Sequence, residues 1–354
     1  MTDIRLSICI ATFNRANFIG AMLDSIISQA TEEVEIVIVD GASTDNTSQV
    51  VGGYCERFPR LRYLRQETNG GIDQDYSRTI ELAQGEYCWF MSDDDILKAG
   101  AIQTVLDEIR HGYRLIIVNA EHRTFDLSRM VDENRLKISA NRVYGPSDHQ
   151  RLFIEMAGPL SLISCVVIRR DLWNARSKEL YWGTFFVHIG VIFQSPLPGE
   201  TLVIAEPQIA IRQGNLSWSS RAFEICMFKC PKLIWSFPDY PDSAKLRVMP
   251  REPWRRLTLL LAYRGMGYYS IIEYHRLIEP CPASTPYRLA AKCIARLPQS
   301  ILSLLVVVCL VTLRRKSKTT LYDLIHSPRF RHHFRWFYPS THTFRSIGAR
   351  KAHH

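Results

Sequence analysis

Residues 6–15, LSICIATFNR, and residues 34–47, VEIVIVDGASTDNT, decide the fold between them. Each is a short, almost unbroken apolar run that stops on a polar cluster, the pattern of a strand buried on both faces. After TFNR, the side chains Phe18, Met22, Leu23, Ile26 and Ile27 fall at helical spacing. After DGASTDNT a second helix is expected, with Ser43 or Thr44 as its cap and Asp45 in a first turn where a carboxylate complements the dipole.

The alternation continues through an apolar run at 61–64, the turn Asn69-Gly70-Gly71, a helical stretch at 72–83, a run at 87–91 that ends in Ser92-Asp93-Asp94-Asp95, a helical stretch at 99–109 and a run at 115–118. Strands alternating with helices predict an α/β, doubly wound, mainly parallel sheet with right-handed crossovers. In such sheets the ligand lies beyond the carboxyl ends of the strands. TFNR, DGASTDNT, NGGIDQD and SDDD all fall at that rim. The polar stretch 121–142 reads as an irregular excursion, 147–157 as a helix, and 164–169 and 203–212 as strands. Residues 181–194, with Gly183, Thr184 and His188 among aromatics, read as the floor of an acceptor pocket.

The remainder of the chain differs in composition. Of the net charge of +9, most of the basic excess follows Arg247. Residues 300–313 are strongly apolar but, at fourteen residues, short of the roughly 20 needed to cross a bilayer. Arg296 precedes them; Arg314, Arg315, Lys316 and Lys318 follow, and RFRHHFRWFYP from Arg329 interleaves basic and aromatic side chains as interfacial segments do. A membrane surface is therefore the expected partner of this region, ahead of a buried core helix with a solvated basic tail, and no nucleic acid is expected. Nine scattered cysteines, mostly inside apolar runs, read as core residues of a reducing compartment rather than a disulfide framework, and Cys226 with Cys230 finds no second pair for a zinc site. Asp3 and Arg5 precede only a short apolar run, so no secretory signal is expected and the location is read as cytoplasmic, peripheral on the inner face of the membrane.

A nucleotide-diphosphate sugar offers a flat base, a ribose diol and a diphosphate leaving group, and the rim has a partner for each. Asp40 suits a base N–H or exocyclic amine. Thr12, Asn14 and Arg15 suit base, ribose or phosphate. Asp93 to Asp95 suit the ribose and a hard divalent cation, Mg or Mn, which neutralises charge on a departing diphosphate. Each cluster alone has a plainer reading as a surface turn or helix start; their order along one rim favours the joint one.

These motifs, SICIATFNR, EIVIVDGASTDNT, NGGIDQD and GEYCWFMSDDDIL, resemble the inverting family-2 glycosyltransferases of GT-A fold over about the first 110 residues. GTFFVH from Gly183, RQGN from Arg212 and REPWRRLTLLLA from Arg251 resemble abequosyltransferase-type enzymes of O-antigen assembly more narrowly. The resemblance implies that Asp40 faces the base, that Thr12 and Asn14 line the base and ribose pocket, and that Asp73 lies near the donor. Arg15, Asp45, Asn69 and Asp94 complete the expected donor set, and Asp93 and Asp95 form the Asp-X-Asp metal element. Ser92 departs from the usual first carboxylate, and no Glu-Asp pair stands at the usual position of the base. His188, where abequosyltransferase-like members also carry histidine, is the candidate catalytic base, ahead of Asp148, Glu155 and Asp171; its other readings are a hydrogen-bonded core histidine in an aromatic stretch and a metal ligand completing the Asp site. The implied reaction moves a sugar, such as a 3,6-dideoxyhexose from CDP, onto a polyprenyl-diphosphate-linked saccharide; the alternatives are a UDP-hexose donor and, more remotely, nucleotidyl transfer. Residues 1–120 are then the donor half, 121–230 the acceptor half and 231–354 a helical, basic, membrane-associating extension.

Overall fold

In the computed structural model, which describes residues 3–215, 218–312 and 318–326, strand and helix alternate as the apolar runs predict. The order is β1 (Leu6–Thr12), α1 (Ile19–Ile27), β2 (Val34–Asp40), α2 (Thr47–Arg57), β3 (Leu61–Arg65), α3 (Ile72–Leu82) and β4 (Tyr87–Met91). β1, β2 and β4 are buried at every position, which is why their sequences do not alternate. β1 pairs in parallel with β2 and with β4, and β2 with β3. The chain builds outward from β1 to β3 and then returns to the other flank of β1. That reversal opens a crevice beyond the carboxyl ends of β1 and β4, the usual ligand position in an open α/β sheet.

The second half comprises β5 (Ile96–Leu97), α4 (Ala101–Ile109), β6 (Leu115–Arg123), β7 (Met130–Asp132), β8 (Arg142–Tyr144), α5 (His149–Met156), β9 (Val166–Arg169), α6 (Arg170–Asn174), α7 (Val187–Phe193) and β10 (Thr201–Arg212). The sheet order is β3-β2-β1-β4-β9-β6-β10-β5. β6 and β10 are parallel, while β9 runs antiparallel to both β4 and β6.

Two local expectations change. The stretch 121–142 is not wholly irregular: β6 runs on to Arg123, and β7 and β8 pair with β6 and β10. Polar residues stay in the sheet there because they find partners, Glu121 with Lys98 at 2.8 Å and Arg123 at 2.6 Å, and His122 with Gln213 at 2.8 Å. At α2 neither Ser43 nor Thr44 is the cap; the helix begins three residues later, and the Asp45 carboxylate accepts the Thr47 N–H at 2.9 Å.

Beyond the sheet the chain is helical: α8 (Ala222–Glu224), α9 (Cys230–Trp235), α10 (Asp242–Val248), α11 (Leu257–Gly265), α12 (Ile271–Glu273), α13 (Thr285–Arg296), α14 (Gln299–Thr312) and α15 (Lys318–His326). Phe223, Trp254, Leu260, Tyr269 and Ala291 belong to a second core. α14 crosses α11 closely because Gly265 has no side chain; a Cβ there would lie 2.7 Å from Val306. α15 returns to the sheet, where the Phe125 N–H donates to the Tyr322 hydroxyl at 2.9 Å and the Gln213 amide to Asp323 at 2.5 Å. Arg314, Arg315, Lys316 and the tail from Arg329 lie outside the described residues.

Candidate active site

The crevice is shaped first by two turns that hold each other. Asn14 takes φ +56°, a left-handed conformation that Asn tolerates better than most residues. Its N–H donates to the Ser43 hydroxyl at 2.8 Å, and its side-chain oxygen accepts the Thr44 N–H at 2.7 Å. The Arg15 N–H donates to the Thr47 hydroxyl at 2.8 Å, and the Ala16 N–H to Asp45 at 3.2 Å. Asn14 and Asp45, both expected at the donor, thus tie the turn after β1 to the turn after β2. Asn69 closes a further turn by accepting the Gly71 N–H at 2.9 Å.

At the end of β2, Asp40 is fully buried; its oxygens accept the Ser43 N–H at 2.7 Å and the Tyr63 hydroxyl at 2.6 Å. A second carboxylate, not singled out in the sequence, stands beside it. Asp75 is buried, accepts a hydrogen bond from the Gln66 amide, and approaches the strand so closely that a Cβ on Gly41 would lie 2.8 Å from it. Burial, with repulsion from Asp40 and Asp73, pushes its pKa up to about 6. The signal was the Asp73-Gln74-Asp75 spacing, which places both carboxylates in the first turn of α3.

The acidic turn after β4 faces Arg15, whose guanidinium lies 3.3 Å from Asp93 and 3.7 Å from Asp94. Asp94 also accepts from the Ser92 hydroxyl at 2.6 Å and the Asn215 amide at 2.7 Å. Asp95 is turned inward: it accepts the Ser164 hydroxyl at 3.0 Å, with the Arg212 N–H at 3.4 Å. The rim pair facing Arg15 is therefore Asp93 and Asp94 rather than Asp93 and Asp95. Burial and the neighbouring Asp94 raise Asp93 to about 7 and Asp95 to about 8. The buried Thr12 hydroxyl lies beside Asp93 without a fully formed hydrogen bond. Two oxygen-bearing rim carboxylates with more negative charge than Arg15 offsets suit a hard divalent cation. Among the described residues no group of three or more His, Cys, Asp or Glu side chains is gathered as a metal site, so the remaining ligands of a bound ion have to come from substrate or water.

Both oxygens of Asp73 are taken up by backbone N–H groups. They accept the N–H groups of Phe185 at 2.9 Å and Val187 at 3.0 Å, anchoring the loop that precedes α7. His188 follows on α7 and is 1% exposed. Its Nε2 lies 2.7 Å from the Leu160 carbonyl, which fixes the proton there and leaves the lone pair on Nδ1, an atom with no partner. Burial lowers its pKa to about 4. The other candidate bases are occupied elsewhere: Glu155 by Tyr144, Arg142 and Arg151, Asp171 by Arg114 and Arg169, and Asp148 at the start of α5. A surface cavity of about 460 Å³ lies over α5, lined by Asp148, Arg151, Glu155 and Arg247 and by no rim residue.

A sheet that reverses at β1, with an acidic turn after β4 and buried carboxylates at the end of β2, has the arrangement of the α/β GT-A-like fold. Residues 7–170, just under half of the chain, match the family model Glycosyl transferase family 2. Abequosyltransferase RfbV of Salmonella typhimurium is 26% identical over 289 residues, 73% of this chain and 84% of that protein. The GalNAc(5)-diNAcBac-PP-undecaprenol beta-1,3-glucosyltransferase of Campylobacter jejuni is 31% identical over 116 residues, 32% of this chain and 38% of that protein. The fold is shared with S. aureus TarS 1–349, at a TM-score of 0.55 and 17% identity over 94% of this chain and 92% of that one.

The raised carboxylates set the pH dependence of stability. A carboxyl whose pKa is higher in the folded than in the unfolded state loses stability as pH rises through the folded value. In metal-free buffer the protein is expected to lose stability between about pH 6.5, above which the buried His122 and His188 no longer oppose the loss, and about pH 8. Asp93→Asn should lose less over that range, by on the order of 1–2 kcal/mol in urea unfolding. Identical pH profiles for the two proteins would contradict the crowding at this turn.

Proposed function

We propose that the protein transfers a sugar, with inversion, from a nucleoside-diphosphate donor to a lipid-linked saccharide at a membrane surface. The observation that carries this reading is the crevice in which Asp40 and Asp75 stand at one strand end and Asp93, Asp94 and Arg15 at the next. The base lies against Asp40, the ribose near Thr12, and the diphosphate near Arg15 and Asn215. Asp93 and Asp94 hold the divalent cation, which when bound supplies charge neutralisation to the departing diphosphate. Two adjacent carboxylates favour a base edge that donates: cytosine presents an amine where uracil presents a carbonyl. This supports a CDP-linked sugar, in line with the similarity to an abequosyltransferase, over the UDP-hexose alternative.

In the transfer, the acceptor oxygen bonds to the anomeric carbon while the bond from that carbon to the diphosphate breaks, and the hydroxyl proton passes to a base on the opposite face. His188 is that base through Nδ1, and a shift of the loop before α7 gives the acceptor access. The exposed apolar side chains Ile301, Leu304, Leu305 and Val308 recur at helical spacing on one face of α14. No single described helix is long and apolar enough to cross a membrane, and α13 meets α14 at 95°. A helix lying in the interface fits both facts, with Arg296 and Lys318 near its two ends to meet anionic lipid.

Three experiments test these points. In a thermal-shift panel, CDP with manganese should raise the melting temperature more than UDP, and Asp75→Ala should narrow the difference; a UDP preference moves the donor to the alternative, and no response to any nucleotide removes the reading. His188→Gln should lower kcat at least 100-fold with nucleotide binding intact, and the acid limb of the wild-type rate should fall near pH 4 rather than 6.5. An unchanged rate in this variant places the base elsewhere. Leu304→Glu with Leu305→Glu should release the protein from phosphatidylglycerol vesicles in a sedimentation assay, and continued binding would remove α14 as the anchor.

A further inference from the structure

Three cations gather round one carboxylate outside the donor crevice. Glu224 lies 3.1 Å from Arg221, 3.6 Å from Lys229 and 3.4 Å from Arg276. Its partial burial works against ionisation, yet hydrogen bonding and charge from Arg221, with Lys229 and Arg276, hold the carboxyl below its ordinary range. One negative charge against three positive ones leaves a local excess, and the side chains of Arg221 and Arg276 remain 45% and 51% exposed. Exposed ion pairs contribute little to stability, so stability is a poor reason to hold three like charges together. Arginine forks and a lysine ammonium around one point suit an anion with several oxygens.

The cluster is joined to the loop before α7. Arg221 and Lys229 lie over the Phe185 ring, 4.7 and 5.0 Å from its centre, and the Lys229 ammonium donates to the Gly183 carbonyl. Phe185 has φ +74°, a strained conformation for a bulky residue, and it is held there by the carboxylate of Asp73. Strain of this kind persists where the surroundings enforce it, and ligand clamps are one such place. Arg276 reaches the cluster from Tyr274–Ile278, part of the helical unit that packs around the second core with α11 and α13. The cations thus stand between the α7 loop and the unit that carries the apolar face of α14.

We propose that Arg221, Lys229 and Arg276 form a binding site for the diphosphate of the acceptor. The assignment to the acceptor rests on the lipid-linked acceptor argued above. Such a molecule carries its phosphates between an apolar chain and a saccharide, the same order as α14, the cluster and the α7 loop. The donor diphosphate has its own partners at Arg15 and the acidic turn.

The test uses the full chain. With CDP and manganese both saturating, inorganic pyrophosphate should bind to the wild type, bind at least tenfold more weakly to Arg276→Glu, and recover with Arg276→Lys. The CDP thermal shift should be the same in all three. Arg276 is exposed, so its replacement leaves the fold intact, and Arg221→Glu supplies an independent variant. Pyrophosphate binding unchanged in both charge reversals overturns the site. If CDP gives no shift while pyrophosphate binding still depends on Arg276, the site stands and the donor reading falls. Flotation with phosphatidylcholine vesicles, containing either undecaprenyl diphosphate or phosphatidylglycerol at matched surface charge, separates the two sources of phosphate. Preference for undecaprenyl diphosphate that Arg276→Glu abolishes supports the acceptor. Equal binding to both, equally weakened by the variant, assigns the cations to lipid headgroups and overturns it.

Discussion

Asp93, Asp94 and Asp95 are consecutive carboxylates at the end of one buried strand, and Arg15, at the end of the adjacent parallel strand, contacts the first two of them. The rest of the site depends on that imbalance. Parallel pairing of β1 with β4 forces the two turns together, and burial makes the uncompensated charge expensive, so two of the three aspartates hold protons well above the ordinary carboxylate range. A polar turn chosen for stability alone would not be built this way. Local violations of good packing chemistry are most often found where function needs them.

A second constraint links the two halves of the sheet. Asp73 leaves the first turn of α3 and takes two N–H groups from the loop before α7. The start of α3 and the loop before α7 are therefore joined by one buried side chain. The strained Phe185 and the Arg221 and Lys229 side chains over its ring depend on the position of that loop. Arg212 and Asn215 close the rim from β10, the arginine side chain donating to the Asp94 carbonyl at 3.2 Å. α15 packs behind them on Gln213, so the C-terminal helices are part of the same structure as the donor site.

The strand–helix alternation and the polar rim were legible because strands buried on both faces leave unbroken apolar runs, and turns after them leave Gly, Asn and Asp. Asp40, Thr12, Arg15, Asp93 and Asp94 came from the same logic, since polar residues at the ends of buried strands have few places to go. What was not legible depended on contacts distant in sequence. The inward turn of Asp95 is set by Ser164 and Arg212, 69 and 117 residues away. Asp75 gains meaning only against Gly41 and Gln66. Glu224 draws Arg276 from a separate helical segment. The strands β7 and β8 were hidden because their polar residues are satisfied by partners that periodicity does not reveal.

The central claim is that the acidic turn and the end of β2 together hold a nucleoside diphosphate through a divalent cation. The most direct measurement is diffraction from crystals soaked with CDP and manganese, with data collected at the manganese edge. The account predicts an anomalous peak within coordination distance of Asp93 or Asp94, about 2.0–2.6 Å for a hard cation on oxygen, bridging to the diphosphate, with the cytosine edge against Asp40. A nucleotide bound elsewhere, or a manganese peak remote from this turn, would contradict it.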